Sequence, residues 1–121
     1  MLSSFNEITL DLLDAGTASD LDELSFGVIG FDRDGLIETY NTAEAKLAGL
    51  SPEKVIGRHL FETVAPCMNN FMVAQRFEDE PALDEVVDYV LTFRMRPQPV
   101  SLRLLQQPGR GRRYIAIVHR T

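Results

Sequence analysis

The chain has 121 residues, which is the size of one domain and allows a single hydrophobic core with a pocket. Hydrophobic residues make up 45% of the sequence and charged residues 25%, as in globular proteins and unlike disordered ones. The sequence contains no apolar run long enough for a membrane helix, and its N-terminus lacks the features of a signal peptide. We therefore expect a cytoplasmic protein without a membrane partner. The single cysteine excludes an internal disulfide, and no Cys/His spacing predicts a metal site.

The net charge of −6 is unevenly distributed along the chain. Residues 93–121 contain seven arginines and no acidic residue. Such a segment can bind phosphate groups, but here it lacks the clustered aromatic residues that stack on bases. We therefore expect no nucleic-acid partner, and instead arginines that point out of a sheet and pair with acidic side chains of the same chain.

The first half of the chain predicts short helices around a β-hairpin. A capping box of Ser4 and Glu7 begins the first helix, Asp32–Gly35 is the hairpin turn, and Asn41 caps a later helix. In chain order we predict helices over Ser4–Leu13 and Ser19–Leu24, strands over Phe26–Phe31 and Leu36–Tyr40, a helix over Thr42–Ala48, and another that starts at Ser51 and stops at Gly57.

The second half predicts one helix and three strands. After a turn at His59–Val64 we predict a helix over Met68–Phe77, an acidic loop at Glu78–Pro81, strands over Val86–Met95, Val100–Gln106 and Arg113–His119, and turns at Pro97–Pro99 and Pro108–Gly111. In the strand over Val100–Gln106, apolar and polar residues alternate, which predicts one buried and one solvent-exposed face. Together the elements indicate an α+β domain with a five-stranded antiparallel sheet and short helices on one face.

Cys67 is the first candidate functional residue. It follows Pro66 at a rigid corner of the chain, where it is either a small buried hydrophobe or a reactive thiol. The sequence shows no histidine and asparagine partners for a cysteine hydrolase, so we do not expect an enzyme. A covalent anchor, which reacts only once, needs fewer partners.

Tyr40 and Glu44 form the second candidate constellation. Four positions apart across a strand-to-helix junction, they can point the same way if Asn41 begins the helix. A buried Glu44 would have a raised pKa and stay protonated, so that the pair offers two hydrogen-bond donors to a buried anion. The alternative is an exposed Glu44 that pairs with a nearby lysine or arginine.

Several segments together resemble a known family. They are Phe26–Gly27, Tyr40–Glu44, Val55–Gly57 and Val64–Cys67, and the spacing from Tyr40 to Glu44 to Cys67 agrees without a gap. The stretch Gly27–Asn41, followed by Glu44, Gly49 and Gly57, resembles the core of a PAS domain. The whole pattern is similar to the photoactive yellow protein family. The resemblance implies a PAS fold with an N-terminal helical cap at residues 1–24 and a PAS core at residues 25–121.

The resemblance also implies a blue-light photoreceptor. Its chromophore would be 4-hydroxycinnamic (p-coumaric) acid, held as a thioester on Cys67, with the phenolate hydrogen-bonded by Tyr40 and protonated Glu44. Light would isomerise the chromophore from trans to cis, a proton would leave Glu44, and the N-terminal helices would be released to signal to an unknown downstream protein. We expect a monomer or weak dimer. The implied pocket lining is Ile29, Ala48, Leu50, Leu60, Val64, Ala65, Pro66, Leu91, Phe93 and Met95.

The sequence departs from the family at five of these positions. Ala48 and Leu50 stand where the family has a threonine and an arginine, and Leu60, Leu91 and Phe93 replace aromatic residues. We therefore expect altered absorbance and recovery. Two other functions stay open, a pigment-free PAS interaction module and a haem sensor that uses His59.

Overall fold

Five antiparallel strands form the centre of the molecule, in the spatial order β2-β1-β5-β4-β3. The computed structural model describes residues 4–93 and 96–120, apart from the side chain of Phe93. The strands are β1 (Gly27–Phe31), β2 (Ile37–Tyr40), β3 (Leu83–Phe93), β4 (Arg96–Gln106) and β5 (Arg113–His119). The predicted α+β fold with a five-stranded antiparallel sheet is confirmed.

Short helices fill the connections between the strands. They are α1 (Leu10–Ala15), α2 (Ala18–Asp22), α3 (Thr42–Ala48), α4 (Pro52–Val55) and α5 (Ala74–Asp79), with a π-helical turn at Leu60–Val64 and a 3₁₀ turn at Pro66–Met68. Across the described residues, none of these helices has the length and apolar character needed to cross a bilayer.

The sheet separates two hydrophobic clusters. Its inner face packs against α3, the π-helical turn and α5 and contributes Ile29, Leu91 and Ile117 to the main core. Its outer face is partly covered by residues 4–24, which we call the N-terminal cap and whose Leu13 packs in the same cluster as Val28. Successive strand residues point to opposite faces, so β1 and β5 take part in both clusters.

The first helix begins six residues later than predicted. The Ser4 hydroxyl does donate to Glu7 Oε1 at 2.8 Å, but the bonds to the Ser4 carbonyl close only a single turn. Thr9 is extended, and its Oγ1 accepts from the Leu12 N–H at 3.2 Å, so it is the true N-cap of α1.

The predicted helix over Met68–Phe77 is also wrong in its first half. The Oδ1 of Asn70 accepts from the backbone N–H groups of Met72 and Val73 at 3.0 and 3.2 Å, and this local bonding replaces the helical pattern. The helix α5 therefore starts at Ala74, and it includes Glu78 and Asp79 of the predicted acidic loop.

Pro97 and Pro99 lie within β4 and do not form the predicted turn. The Pro99 carbonyl accepts from the Arg120 N–H, so Pro99 faces the side of β5, and Pro97, two residues earlier, faces the same side. The paired residues of β5 reach only as far as Val100 on β4. The prolines therefore lie where β4 has no strand partner on this side, so their missing N–H groups cost the sheet no hydrogen bond.

Arginines of the C-terminal segment pair with acidic side chains of the same chain, as predicted, both from β4 and from the turn that follows it. Arg110 bonds Asp11 and Asp14 of α1, and the Tyr114 hydroxyl donates to the same Asp14 at 2.9 Å. Arg103 binds Asp84 with two hydrogen bonds and also donates to the Phe5 carbonyl at 3.0 Å. Arg103 is therefore only 8% exposed, which corrects the expectation of a solvent-exposed outer face at this position.

Candidate functional site

Asn41 organises the junction between the N-terminal cap, β1 and α3. Its Oδ1 accepts from the N–H groups of Val28 (2.9 Å) and Glu44 (3.1 Å). Its Nδ2 donates to the carbonyls of Leu21 (2.9 Å) and Phe26 (3.0 Å). The predicted N-cap is confirmed, and the same buried amide connects the helix that carries Glu44 directly to the cap.

Glu44 is buried inside the protein, with 2% of its surface exposed. Among the described residues, its Oε1 is a buried side-chain oxygen without a hydrogen-bond partner. Burial raises the pKa of Glu44 to about 8, so the carboxyl group is mostly protonated at neutral pH. The alternative of an exposed, ion-paired Glu44 is therefore wrong.

Tyr40 ends β2 on the inner face of the sheet and is also buried. Burial, and to a smaller extent the charge of an ionised Glu44, raises the pKa of Tyr40 above its ordinary value. At neutral pH the site therefore holds two protonated oxygen acids, each able to donate a hydrogen bond.

A small cavity of about 50 Å³ lies next to these two side chains. Six of the predicted lining residues surround it, namely Ile29, Ala48, Leu50, Val64, Ala65 and Leu91, together with Tyr40 and Glu44. The sequence analysis missed Met68 and Ile117, which complete the wall. Ile117 could have been found from the alternation of β5, since it follows Ile115 on the inner face.

Of the other four predicted lining residues, two lie elsewhere in the structure and two fall outside its described part. Leu60 is fully buried in the main core but does not line the cavity, and Pro66 is exposed because it begins the 3₁₀ turn at the surface. The side chain of Phe93 and the whole of Met95 lie outside the described residues.

Cys67 is a half-buried residue that packs against the main core. It lies in the 3₁₀ turn between Ala65 and Met68, which both line the cavity, although Cys67 itself is not part of the lining. The structure thus brings the Cys67 corner to the same cavity as Tyr40 and Glu44.

The residues that line the cavity are chemically suited to an anionic aromatic ligand. Apolar walls suit a ring, and an unpaired buried carboxyl oxygen together with a tyrosine hydroxyl suits an oxygen anion. The volume is about one third of the roughly 150 Å³ cavity that holds benzene in another protein. A ligand with one aromatic ring must therefore displace wall side chains, and Leu50, which is 37% exposed, lies on the solvent side of the wall.

His59 has a local structural role at the start of the π-helical turn. Its Nδ1 accepts from the Glu62 N–H at 3.1 Å and caps this turn. This bond occupies one ring nitrogen, and nothing in the geometry favours His59 as a haem ligand over this capping function.

Gly27 creates the space that the Glu44 carboxyl occupies. A Cβ at this position would lie 2.2 Å from Glu44 Oε1 and 3.3 Å from Glu44 Cα. We therefore expect Gly27→Ala to lower the free energy of unfolding by about 1–3 kcal/mol, as overpacked core sites do. Urea denaturation measures this change.

Gly111→Ala is the matched control for this substitution, because a Cβ there meets no described heavy atom within 4 Å. The double variant Gly27→Ala/Glu44→Ala should recover part of the loss, since the carboxyl group that clashes is gone. Strictly additive effects of the two substitutions would contradict this contact.

The comparisons with known proteins agree with this geometry. A sheet of this topology, with short helices around an inner pocket, defines a PAS domain, and the PAS fold model matches residues 19–120. The photoactive yellow protein domain of the sensor histidine kinase Ppr from Rhodospirillum centenum is 35% identical, with a TM-score of 0.82 over 89% of this chain and 97% of that one.

Individual relatives show which family of PAS proteins the chain belongs to. The photoactive yellow protein of Rhodothalassium salexigens is 35% identical over 102 residues, which cover 82% of this chain and 81% of the relative. That of Halochromatium salexigens is 36% identical over 88 residues, 70% of either chain. The chain belongs to the photoactive yellow protein family.

Proposed function

We propose that this protein is a blue-light receptor that carries 4-hydroxycinnamic acid as a thioester on Cys67. The observation that carries the proposal is the buried, protonated Glu44, which lines the same apolar cavity as Tyr40 and whose Oε1 has no hydrogen-bond partner among the described residues. An unpaired buried oxygen is costly to the fold, and a ligand atom that accepts its hydrogen bond would remove that cost.

Each residue of the site has a defined role in this proposal. Cys67 provides the covalent anchor, and Tyr40 and Glu44 donate hydrogen bonds to the phenolate. When bound, the group supplies absorption of visible light and a double bond that isomerises. The remaining wall residues exclude water and keep the dielectric constant low, so that both hydrogen bonds are strong.

The protein itself converts a proton movement into a conformational change. Loss of the proton from Glu44 leaves an unpaired carboxylate in an apolar site, which costs several kcal/mol. Solvation of this carboxylate requires movement of α3. The Asn41 side chain accepts from the Glu44 N–H of this helix and donates to the Leu21 carbonyl of the N-terminal cap, so it connects the two. The N-terminal cap is therefore the part that should loosen, and a separate signalling protein would read its release.

The proposed role is sensory, not enzymatic. We retain three expectations as part of the proposal: the division into a cap at residues 1–24 and a core at residues 25–121, a location in the cytoplasm, and a monomeric or weakly dimeric state.

Reconstitution of the pigment-free protein with an activated ester of 4-hydroxycinnamic acid tests the function. We expect a mass increase of one 4-hydroxycinnamoyl group and a visible band that bleaches in blue light and recovers in the dark. Cys67→Ala should give neither. A protein that takes up no acyl group, or a band that survives in Cys67→Ala, would contradict the proposal, and the first of these outcomes would favour a pigment-free interaction module.

A further inference from the structure

The backbone carbonyl of Cys67 is held by two side chains from different parts of the chain. The Tyr89 hydroxyl donates to this oxygen at 2.5 Å, and Asn70 Nδ2 donates to it at 3.1 Å. Asn70 Nδ2 also donates to the Tyr89 hydroxyl at 2.5 Å. The three groups form a closed triangle of hydrogen bonds around one peptide oxygen.

Both donors are themselves firmly positioned. Tyr89 lies in the middle of β3, opposite Val100 of β4, and is 9% exposed on the inner face of the sheet. Asn70 uses its other side-chain atom, Oδ1, to accept from Met72 and Val73, and its own carbonyl accepts from Gln75. The triangle therefore connects the Cys67 corner to the sheet on one side and to the start of α5 on the other.

The backbone at this corner needs such support. Ala65, with φ −134° and ψ 65°, and Asn69, with φ −85° and ψ 72°, lie outside helical and strand conformations on either side of the 3₁₀ turn. A turn of three residues has little regular hydrogen bonding of its own. The peptide that follows Cys67 is held by these two side chains at its carbonyl and by its Met68 N–H, which donates to the Ala65 carbonyl at 3.0 Å. Its orientation fixes the direction of the Cα–Cβ bond that carries the sulfur.

We propose that Tyr89 and Asn70 are positioning residues that fix the sulfur of Cys67 relative to the Tyr40 and Glu44 donors. Tyr40 lies on β2 and Tyr89 on β3 of the same sheet, so the sheet sets the distance between the anchor and the donors. The inference rests on the proposed function in one respect, since it takes Cys67 as the attachment point.

Two variants remove the triangle while retaining the packing. Tyr89→Phe keeps the ring and loses the hydroxyl, and Asn70→Asp keeps the acceptor for Met72 and Val73 and loses the donor. Tyr114→Phe is the matched control, because it too removes the hydroxyl of a buried tyrosine, one that donates to Asp14 on the outer face.

The first measurement needs no pigment and follows alkylation of Cys67 by iodoacetamide under native conditions. We expect Tyr89→Phe and Asn70→Asp to accelerate the reaction about three- to tenfold over wild type, as the loss of one hydrogen bond of ordinary strength allows. Tyr114→Phe should react at the wild-type rate. Equal rates in Tyr89→Phe and Tyr114→Phe would overturn the proposal.

The second measurement is the visible spectrum of the pigment-loaded variants, which a purely structural role would leave unchanged. We expect a shifted and broadened band in Tyr89→Phe and Asn70→Asp and a wild-type band in Tyr114→Phe. A wild-type band in all three would also overturn the positioning role. If wild-type protein forms no adduct, the proposed function fails, and the alkylation rates alone decide whether Tyr89 and Asn70 position the sulfur.

Discussion

Glu44→Gln should remove most of the pH dependence of the stability of the pigment-free protein between pH 5 and pH 9. In the wild-type protein, burial raises the pKa of Glu44 from 4.5 to about 8. Over that interval the unfolded chain binds fewer protons than the folded one, so the free energy of unfolding falls as pH rises. The stabilisation is fully present below pH 4.5 and is lost as pH rises to about 8, with a total loss of roughly 5 kcal/mol.

Urea denaturation at several pH values measures this dependence. Glutamine does not titrate, so the variant should keep a nearly constant free energy of unfolding where the wild type declines. Glu53→Gln is the control, since Glu53 is an exposed carboxylate on α4 and its loss should leave the wild-type decline intact. If the curves of wild type and Glu44→Gln run parallel, Glu44 is not the buried acid.

Asn41→Ala should destabilise the protein by about 3–5 kcal/mol, because it removes a helix cap and leaves buried backbone groups unpaired. The groups that lose their partner belong to Leu21 in the cap, Phe26 and Val28 around the start of β1, and Glu44 in α3. The cap loses a direct connection to the core, so it should detach before the sheet unfolds.

Two measurements separate the local from the global effect. Urea denaturation gives the total loss of stability, and digestion with a non-specific protease in native buffer reports cleavage within residues 4–24. Asn69→Ala is the control, since Asn69 is an exposed residue at the end of the 3₁₀ turn. A cap that resists protease in Asn41→Ala as well as it does in wild type would show that Asn41 does not anchor it.

The elements with strong local signals were predictable from sequence. Asn41 and Gly49 mark the two ends of α3, and the Asp32–Gly35 turn marks the hairpin of β1 and β2. The errors occurred where two local signals competed. At the N-terminus the Ser4–Glu7 pair forms, but Thr9 caps α1, and around Asn70 side-chain bonding replaces a helical pattern.

The two hydrogen-bond donors of the site could be predicted from the sequence, but the burial of Glu44 could not. Sequence spacing placed Tyr40 and Glu44 together, yet the same spacing also allowed an exposed Glu44. Burial of Glu44 depends on the absence of a side chain at Gly27, which is a tertiary contact. The triangle around Cys67 had no sequence signal, because Tyr89 is 22 residues away along the chain.

The two prolines of β4 affect how the protein behaves at high concentration. An exposed strand margin can recruit a strand from another molecule through its free N–H groups and so begin a fibril. The edge of β4 is exposed before Val100, because β5 does not pair beyond that residue. Pro97 and Pro99 lie in this stretch and have no backbone N–H, so two hydrogen-bond donors are missing from the edge. This end of the sheet is thereby protected from edge-to-edge aggregation, even in a protein whose N-terminal cap is detached.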